Sequence, residues 1–570
     1  MGGACGAGNR RIALNAAHLT VDKGRLSPLS GLCRARAAWR VGGFVNLDKG
    51  PRSAPQASSS GDDSIHGAGQ RVTAREQAET AGRELKVKTF ISAAWTVVRS
   101  GVEQVFSFIG LMILARLLTP KDFGLFTLAA TSVEFASIIA LGGWSEAVYR
   151  TKHLNDEAAD TLFWGAVTLA TLVALVFAGL SIPISRAAGE PALAPLLAAL
   201  AGSIPLLALG QVHTARKLRD FGHKTMAVRA TVASILGLGA AVTVALHGGG
   251  AWSMVVERYV HLAIGTILAI AAFRWRPRLR VQVSELRRVL RFNAHITLSS
   301  VVNYVIFRFP YLLSGRLIGP EAVAHYRMGS KPLEFVSQGA LTPLLTVSLP
   351  SLSRLQDDPG AFSNAYMRFV GLAALLTCPV IVGFGAVASD AIPLLFGPQW
   401  RVAVPVCQIL SAGAAAHMAT AFNGPALLAV GAAKPLARLS LLNLVTVVLA
   451  TLAGARFGLP GVAAALVLRF YLVLPIQLHV LRRETSVTLR AALTPMLPPL
   501  LGSLAMAAAV LTAHQWTLAH ISIPALRLAA EVPLGAGVYV LCLCTLTRQH
   551  VAWQIAGAKS LIAAWRLRAD

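Results

Sequence analysis

From Lys86 onward the chain alternates long apolar runs with short polar breaks, and the runs reach ~20 residues, the length an α-helix needs to cross a hydrocarbon core of ~30 Å. Inside a bilayer each backbone N–H and C=O must be satisfied within its own segment, so such runs fold as helices. The first seven predicted spans lie near 91–117, 123–148, 160–182, 192–215, 226–247, 251–273 and 293–316. Seven more lie near 322–349, 364–388, 401–430, 436–455, 459–481, 491–513 and 521–546, making fourteen in all. Breakers such as Pro205, Pro332, Pro343, Pro379 and Pro475 fit inside membrane helices when neighbours take up the freed backbone groups. Composition agrees, with 55% of residues hydrophobic and 14% charged, where a soluble domain carries roughly a quarter charged. The expected fold is an all-α polytopic membrane protein.

One pattern recurs. Arg116-Leu117-Leu118-Thr119-Pro120 returns 200 positions later as Arg316-Leu317-Ile318-Gly319-Pro320. Val102 and Val105 return as Val302 and Val305, Ala115 as Gly315, and Phe126 as Tyr326. Hydrophobic hairpins in matching register point to an internally duplicated membrane protein, a common plan among transporters.

Loop charge sets the orientation. With the amino terminus inside, the predicted cytoplasmic loops hold 19 Lys and Arg and the opposite loops hold 7, which places both termini in the cytoplasm. The formal charge of +26 reads as this asymmetry rather than as a nucleic-acid surface. The most basic loop, 274–292, divides an N-lobe at 86–273 (spans one to six) from a C-lobe at 293–485 (spans seven to twelve), and 486–546 adds spans thirteen and fourteen. Residues 1–85 are rich in Gly, Ala, Ser and Arg, lack the apolar core of a signal peptide, and are expected to be a disordered extension. The tail 547–570 carries Trp553, Ile555, Leu561 and Trp565 among polar residues, the pattern of an interfacial helix or of a frayed end.

The six cysteines form no CxxC pair and no metal-ligand spacing, so neither a disulfide framework nor a metal site is expected. No GxSxG, HExxH or Walker-type loop occurs, and Asp357-Asp358 before Pro359 reads as turn chemistry. No cofactor is implied. Without an ATP site, transport would draw on an ion gradient or on substrate flow. The external loops are short, which argues against a membrane glycosyltransferase, ligase or polymerase.

Charged side chains inside a span cost about 2.5–3.5 kcal/mol each on insertion scales, so they face a cavity or a partner. Span one carries Arg99 and Glu103, span two Glu134, span six Glu257, Arg258 and His261, span seven Arg308 and span twelve Arg469. Span eight carries Arg327, Lys331 and Glu334 on one face. An excess of cations inside a bundle predicts an anionic ligand, and the planar fork of Arg suits phosphate. The candidate binding residues are therefore Arg308, Arg327, Lys331, Arg469, Arg258 and Arg99, with Glu103, Glu134, Glu257 and Glu334 as candidates for ion coupling. Simpler readings stand beside these. Arg99–Glu103 is also a plausible local ion pair; Glu134, His261 and His417 also read as satisfied interior groups; Arg229 and Arg368 read as arginines snorkelling to the interface.

The stretch Ala115-Arg116-Leu117-Leu118-Thr119-Pro120-Lys121-Asp122-Phe123-Gly124-Leu125 resembles the first-loop signature of Wzx-type polysaccharide transporters. So do Thr161-Leu162-Phe163-Trp164, Leu395-Phe396-Gly397-Pro398-Gln399-Trp400 and Gly458-Leu459-Pro460-Gly461-Val462-Ala463. These are lipopolysaccharide (O-antigen, colanic-acid-exporter-like) flippases of the multidrug/oligosaccharidyl-lipid/polysaccharide exporter superfamily, and the likeness spans roughly 86–485. It implies two six-helix lobes around a central cavity with two added helices, in a bacterial cytoplasmic membrane. It also implies a cargo, an oligosaccharide joined through diphosphate to a polyprenyl lipid, moved by alternating access for cell-surface polysaccharide biosynthesis. Membrane lipids, a polysaccharide polymerase and export machinery are the implied partners, with no nucleic acid. Two departures stand out: His325-Tyr326, where the family often has Gly before the Tyr, and Arg308-Phe309-Pro310, where an acidic residue is often found. The alternatives are an ion-coupled multidrug antiporter of the same fold, using Glu103 or Glu134, and a membrane glycosyltransferase or polymerase.

Overall fold

The computed structural model describes residues 101–150, 155–220, 222–272 and 275–546. The expected extension 1–85, Arg99 and the tail from 547 lie outside the described residues. Among the described residues the regular structure is helical, with no strand. The principal helices are α1 (residues 101–117), α2 (Pro120–Leu141), α3 (Asp156–Gly179), α4 (Ser203–Arg219), α5 (His223–Leu246), α6 (Trp252–Ala271) and α7 (Val283–Leu317). They continue with α8 (Pro320–Val336), α9 (Pro359–Phe396), α10 (Ala403–Ala412), α11 (Ala433–Ala455), α12 (Gly458–Glu484), α13 (Leu497–His520) and α14 (Pro524–Leu546).

The chain is a multi-pass membrane protein. Among the described residues ten helices are long and apolar enough to cross a bilayer, and the bent pair Ala403–Ala412 with Ala414–Ala429 would make an eleventh. The fourteen expected spans also count α1, described only from residue 101, together with α7 and α8. The last two fall short because they carry polar groups: Asn303, Tyr304 and Arg308 on α7, and Arg327, Lys331 and Glu334 on α8. Elsewhere large apolar side chains point outward, as Leu175, Leu472 and Leu541 do, each more than 60% exposed. An apolar exterior of this extent is stable only against lipid.

The duplicated hairpins pack against each other. Thr119 caps α2, its hydroxyl accepting from the Asp122 amide at 3.2 Å, with Pro120 in the first turn. One turn on, Gly124 lets α2 touch the start of α8, since a Cβ there would run into the Pro320 carbonyl. One apolar cluster fills the first bundle (Leu128, Val133, Leu197, Ile204) and another the second (Phe362, Tyr366, Phe369, Phe422, Leu481). A third cluster joins them, setting Leu114, Ala115 and Phe123 against Met328, Phe396 and Trp400.

Two of the sequence signatures prove to be clamps. Gln399 Nε2 and Trp400 Nε1 both donate to the Ala115 carbonyl, at 2.8 and 2.9 Å, while the Arg116 guanidinium donates to the Leu394 carbonyl. The Trp400 ring meets Phe123 edge-on at 5.7 Å, and Gly397 supplies the φ of 111° that turns the chain into this contact. On the other signature, Trp164 Nε1 donates to the Arg278 carbonyl at 2.9 Å and the Thr161 hydroxyl accepts from the Gln282 amide at 3.1 Å. Thus the Leu395–Trp400 segment locks the first hairpin turn to the second bundle, and Thr161–Trp164 straps the basic linker to α3.

Candidate functional site

A cavity of about 570 Å³ opens where α1, α2, α5, α6 and α8 converge. Phe106, Leu111, Phe123, Phe126, Leu238 and Met254 form its apolar walls, and its charged groups are Glu103, Glu257, Arg258, Arg327 and Lys331, with His261 among them. Three cations therefore face two carboxylates. Each cation is held in place. Arg258 Nε donates to the Ser203 hydroxyl at 3.2 Å, and Arg327 Nη1 to the Thr127 hydroxyl, 200 positions back, at 3.3 Å. The Lys331 ammonium lies 3.6 Å from Glu334 Oε2. Guanidinium groups fixed by hydroxyls keep donors to spare, and in a low-dielectric site those donors suit a multiply charged oxyanion.

The sequence-derived candidates separate into two groups. Arg258, Arg327, Lys331, Glu103 and Glu257 come together on the cavity wall, and His261, also readable as a satisfied interior group, joins them. Arg308, Arg469, Glu134 and Glu334 do not line it. The Arg308 guanidinium sits 5.6 Å from the Tyr311 ring centroid. Arg469 is 7% exposed and belongs to the second bundle, where Nη1 donates to the Asn443 carbonyl and side-chain oxygen at 3.3 and 3.2 Å and the guanidinium covers Phe470 at 4.4 Å. Glu134 and Glu334 stand at equivalent places in the two hairpins. Each accepts from a tyrosine of α7, Tyr304 to Glu134 Oε2 and Tyr311 to Glu334 Oε1, both at 3.1 Å. Arg229, expected to snorkel, instead turns into the bundle, donating to the Gly265 carbonyl at 2.5 Å and the Thr214 hydroxyl at 2.9 Å. Arg99 lies outside the described residues.

Sequence reasoning missed a second polar cluster. Arg527, near the start of the last predicted span, forks onto both oxygens of Asp390 at 2.6 Å each. Beside them His514 Nδ1 and the Thr517 hydroxyl contact Glu531 Oε1 at 3.0 and 2.6 Å. Asp390, His514 and Glu531 bring three metal-capable atoms within 4.8 Å of one another. The Arg527 guanidinium already supplies the positive charge that Asp390 requires, so the group reads as a pin fastening α13 and α14 to α9. The available signal was Arg527 and Glu531, a charged pair four residues apart on one face of the last span.

Helices long and apolar enough to cross a membrane, packed around a cavity lined by charged side chains, form a transporter-like frame. The chain belongs to the polysaccharide biosynthesis protein family, whose model matches residues 113–405. It is 26% identical over 462 residues to the succinoglycan biosynthesis transport protein ExoT of Rhizobium meliloti (strain 1021), covering 80% of this chain and 92% of that protein. It is 24% identical over 329 residues to the lipopolysaccharide biosynthesis protein WzxC of Escherichia coli (strain K12), covering 57% of this chain and 67% of that one. The fold matches the inward closed conformation of the lipid II flippase MurJ with a TM-score of 0.64 at 11% identity, over 80% of this chain and 100% of that structure. It also matches an inward-facing multidrug resistance MATE family transporter with a TM-score of 0.54 at 14% identity, over 67% and 94% of the two chains.

Proposed function

We propose that the protein is a flippase that carries polyprenyl-diphosphate-linked oligosaccharide repeat units across the cytoplasmic membrane by alternating access, for cell-surface polysaccharide biosynthesis. The observation that carries the reading is the cavity wall, where Arg258, Arg327 and Lys331 converge against two carboxylates. Family membership supports it, as do two relatives, a succinoglycan biosynthesis transport protein and a lipopolysaccharide biosynthesis protein. In this reading the cations hold the diphosphate, the sugars occupy the polar side of the cavity, and the prenyl chain stays in lipid. The protein acts as a carrier and not as an enzyme, in a bacterial inner membrane with both termini cytoplasmic, and it delivers its cargo to a polymerase and export machinery.

One observation favours ion coupling within the same reading. Glu103 and Glu257 line the cavity beside the cations, the carboxylates that an ion-coupled step would use. An antiporter for cationic drugs fits less well, because the wall carries more positive than negative groups.

Deleting the gene in its own host tests the proposal. Lipid-linked repeat units are expected to accumulate on the inner leaflet and surface polysaccharide to disappear, with drug susceptibility unchanged. Normal surface polysaccharide together with raised drug susceptibility would overturn the flippase reading in favour of the antiporter.

A further inference from the structure

Lys331 differs from the other two cavity cations in what holds it. Arg258 and Arg327 rest on hydroxyls, whereas the Lys331 ammonium lies 3.6 Å from Glu334 Oε2, one turn along the same helix. The other Glu334 oxygen accepts from the Tyr311 hydroxyl at 3.1 Å. Both members of the pair stay partly open, with 21% and 39% of their side-chain surface exposed. An open pair of this kind adds little to stability, so stability alone does not account for it.

Two further features bear on its role. The equivalent carboxylate in the first hairpin, Glu134, has Thr131 where Glu334 has Lys331, yet it accepts from Tyr304 all the same. The tie between a carboxylate and a tyrosine of α7 therefore does not require the lysine. In addition, α8 gives way to a π turn, Ser337–Leu341, just beyond Glu334. Such wide turns are rare inside helices and frequently mark functional sites.

We propose that Glu334 is an internal anion that stands in for the cargo's phosphate. It holds Lys331 while the cavity is empty and surrenders it to an arriving diphosphate, keeping its own hydrogen bond from Tyr311. The competition lowers affinity for the cargo and speeds its release at the far side. Glu334 is thus a positioning residue, acting through Lys331. The inference rests on the cavity reading given above.

The test uses the full chain in detergent, titrated with a synthetic prenyl diphosphate, with turnover followed in proteoliposomes. Glu334→Gln is expected to bind roughly two- to fivefold tighter and to turn over more slowly. The tightening is expected to vanish in a Lys331→Gln background, as a pairwise interaction requires. Unchanged or weaker affinity in Glu334→Gln, or tightening that persists without Lys331, would overturn the inference while leaving the cavity reading intact. A wild-type protein that does not bind prenyl diphosphate would overturn both. Glu334→Ala is the second variant, with the same tightening expected should Glu334→Gln fail to insert.

Discussion

The two hairpins, α1–α2 and α7–α8, share a turn and a register but not a charge. Position by position, 200 residues apart, Phe108 corresponds to Arg308, Thr127 to Arg327 and Thr131 to Lys331, while Glu134 and Glu334 are the same residue. The duplicated frame therefore gives each hairpin one carboxylate held by a tyrosine of α7, and only the second hairpin places a cation at these three positions. The two halves meet at these positions, where the Thr127 hydroxyl accepts from its own counterpart, Arg327. Without Arg327 and Lys331 the cavity wall would hold Arg258 alone against Glu103 and Glu257. Divergence at those two positions gives a wall that favours an anion.

Charge reversal at the second hairpin should have the largest effect. Lys331→Glu or Arg327→Glu places an unpaired carboxylate in a cavity that already holds two. Translocation in proteoliposomes is expected to fall roughly a hundredfold or more, with membrane insertion unchanged. Full activity in both variants would remove the asymmetry from the mechanism.

The next effect is on stability. Trp400 is fully buried, donates to Ala115 and packs on Phe123, so it fixes the turn of the first hairpin. Trp400→Ala is expected to cost about 3–5 kcal/mol, read as a loss of thermal stability in detergent. An unchanged melting temperature would mean that the first hairpin does not depend on its clamp.

Much of the frame was legible because it rests on local chemistry. Thr119 and Pro120 announce a helix start through capping and a preset φ, and the recurrence of the turn 200 residues later announces the duplication. Of the site, the charges inside spans were legible, since an apolar run exposes them at once. Which of them meet was not. Arg258, Arg327 and Lys331 share a wall while Arg308 and Arg469 do not, because the packing angles of α6, α8 and α12 decide this and no helical period encodes them. Arg229 misled for the same reason: its partners, Gly265 and Thr214, sit on two other helices. The pairing of Asp390 with Arg527 spans 137 residues and leaves no local trace.

Smaller changes sharpen the comparison. Thr127→Val removes the hydroxyl that steadies Arg327 while keeping its volume, and is expected to weaken prenyl diphosphate binding by about 0.5–1.5 kcal/mol, measured by titration. Glu134→Gln should do least. Thr131 takes the place of a lysine beside Glu134, and the cation in its field, Arg308, does not line the cavity, so affinity is expected to stay within roughly twofold of wild type. A change as large as that of Glu334→Gln would make the two carboxylates functionally alike.

The central claim is that the cations of one cavity wall receive the diphosphate, and an experimental structure of the full chain with a bound prenyl diphosphate tests it most directly. Phosphate oxygens within hydrogen-bonding distance of Arg258, Arg327 and Lys331 are the expected result. Phosphates held instead at Arg469 in the second bundle, with this cavity occupied by lipid or water, would contradict it.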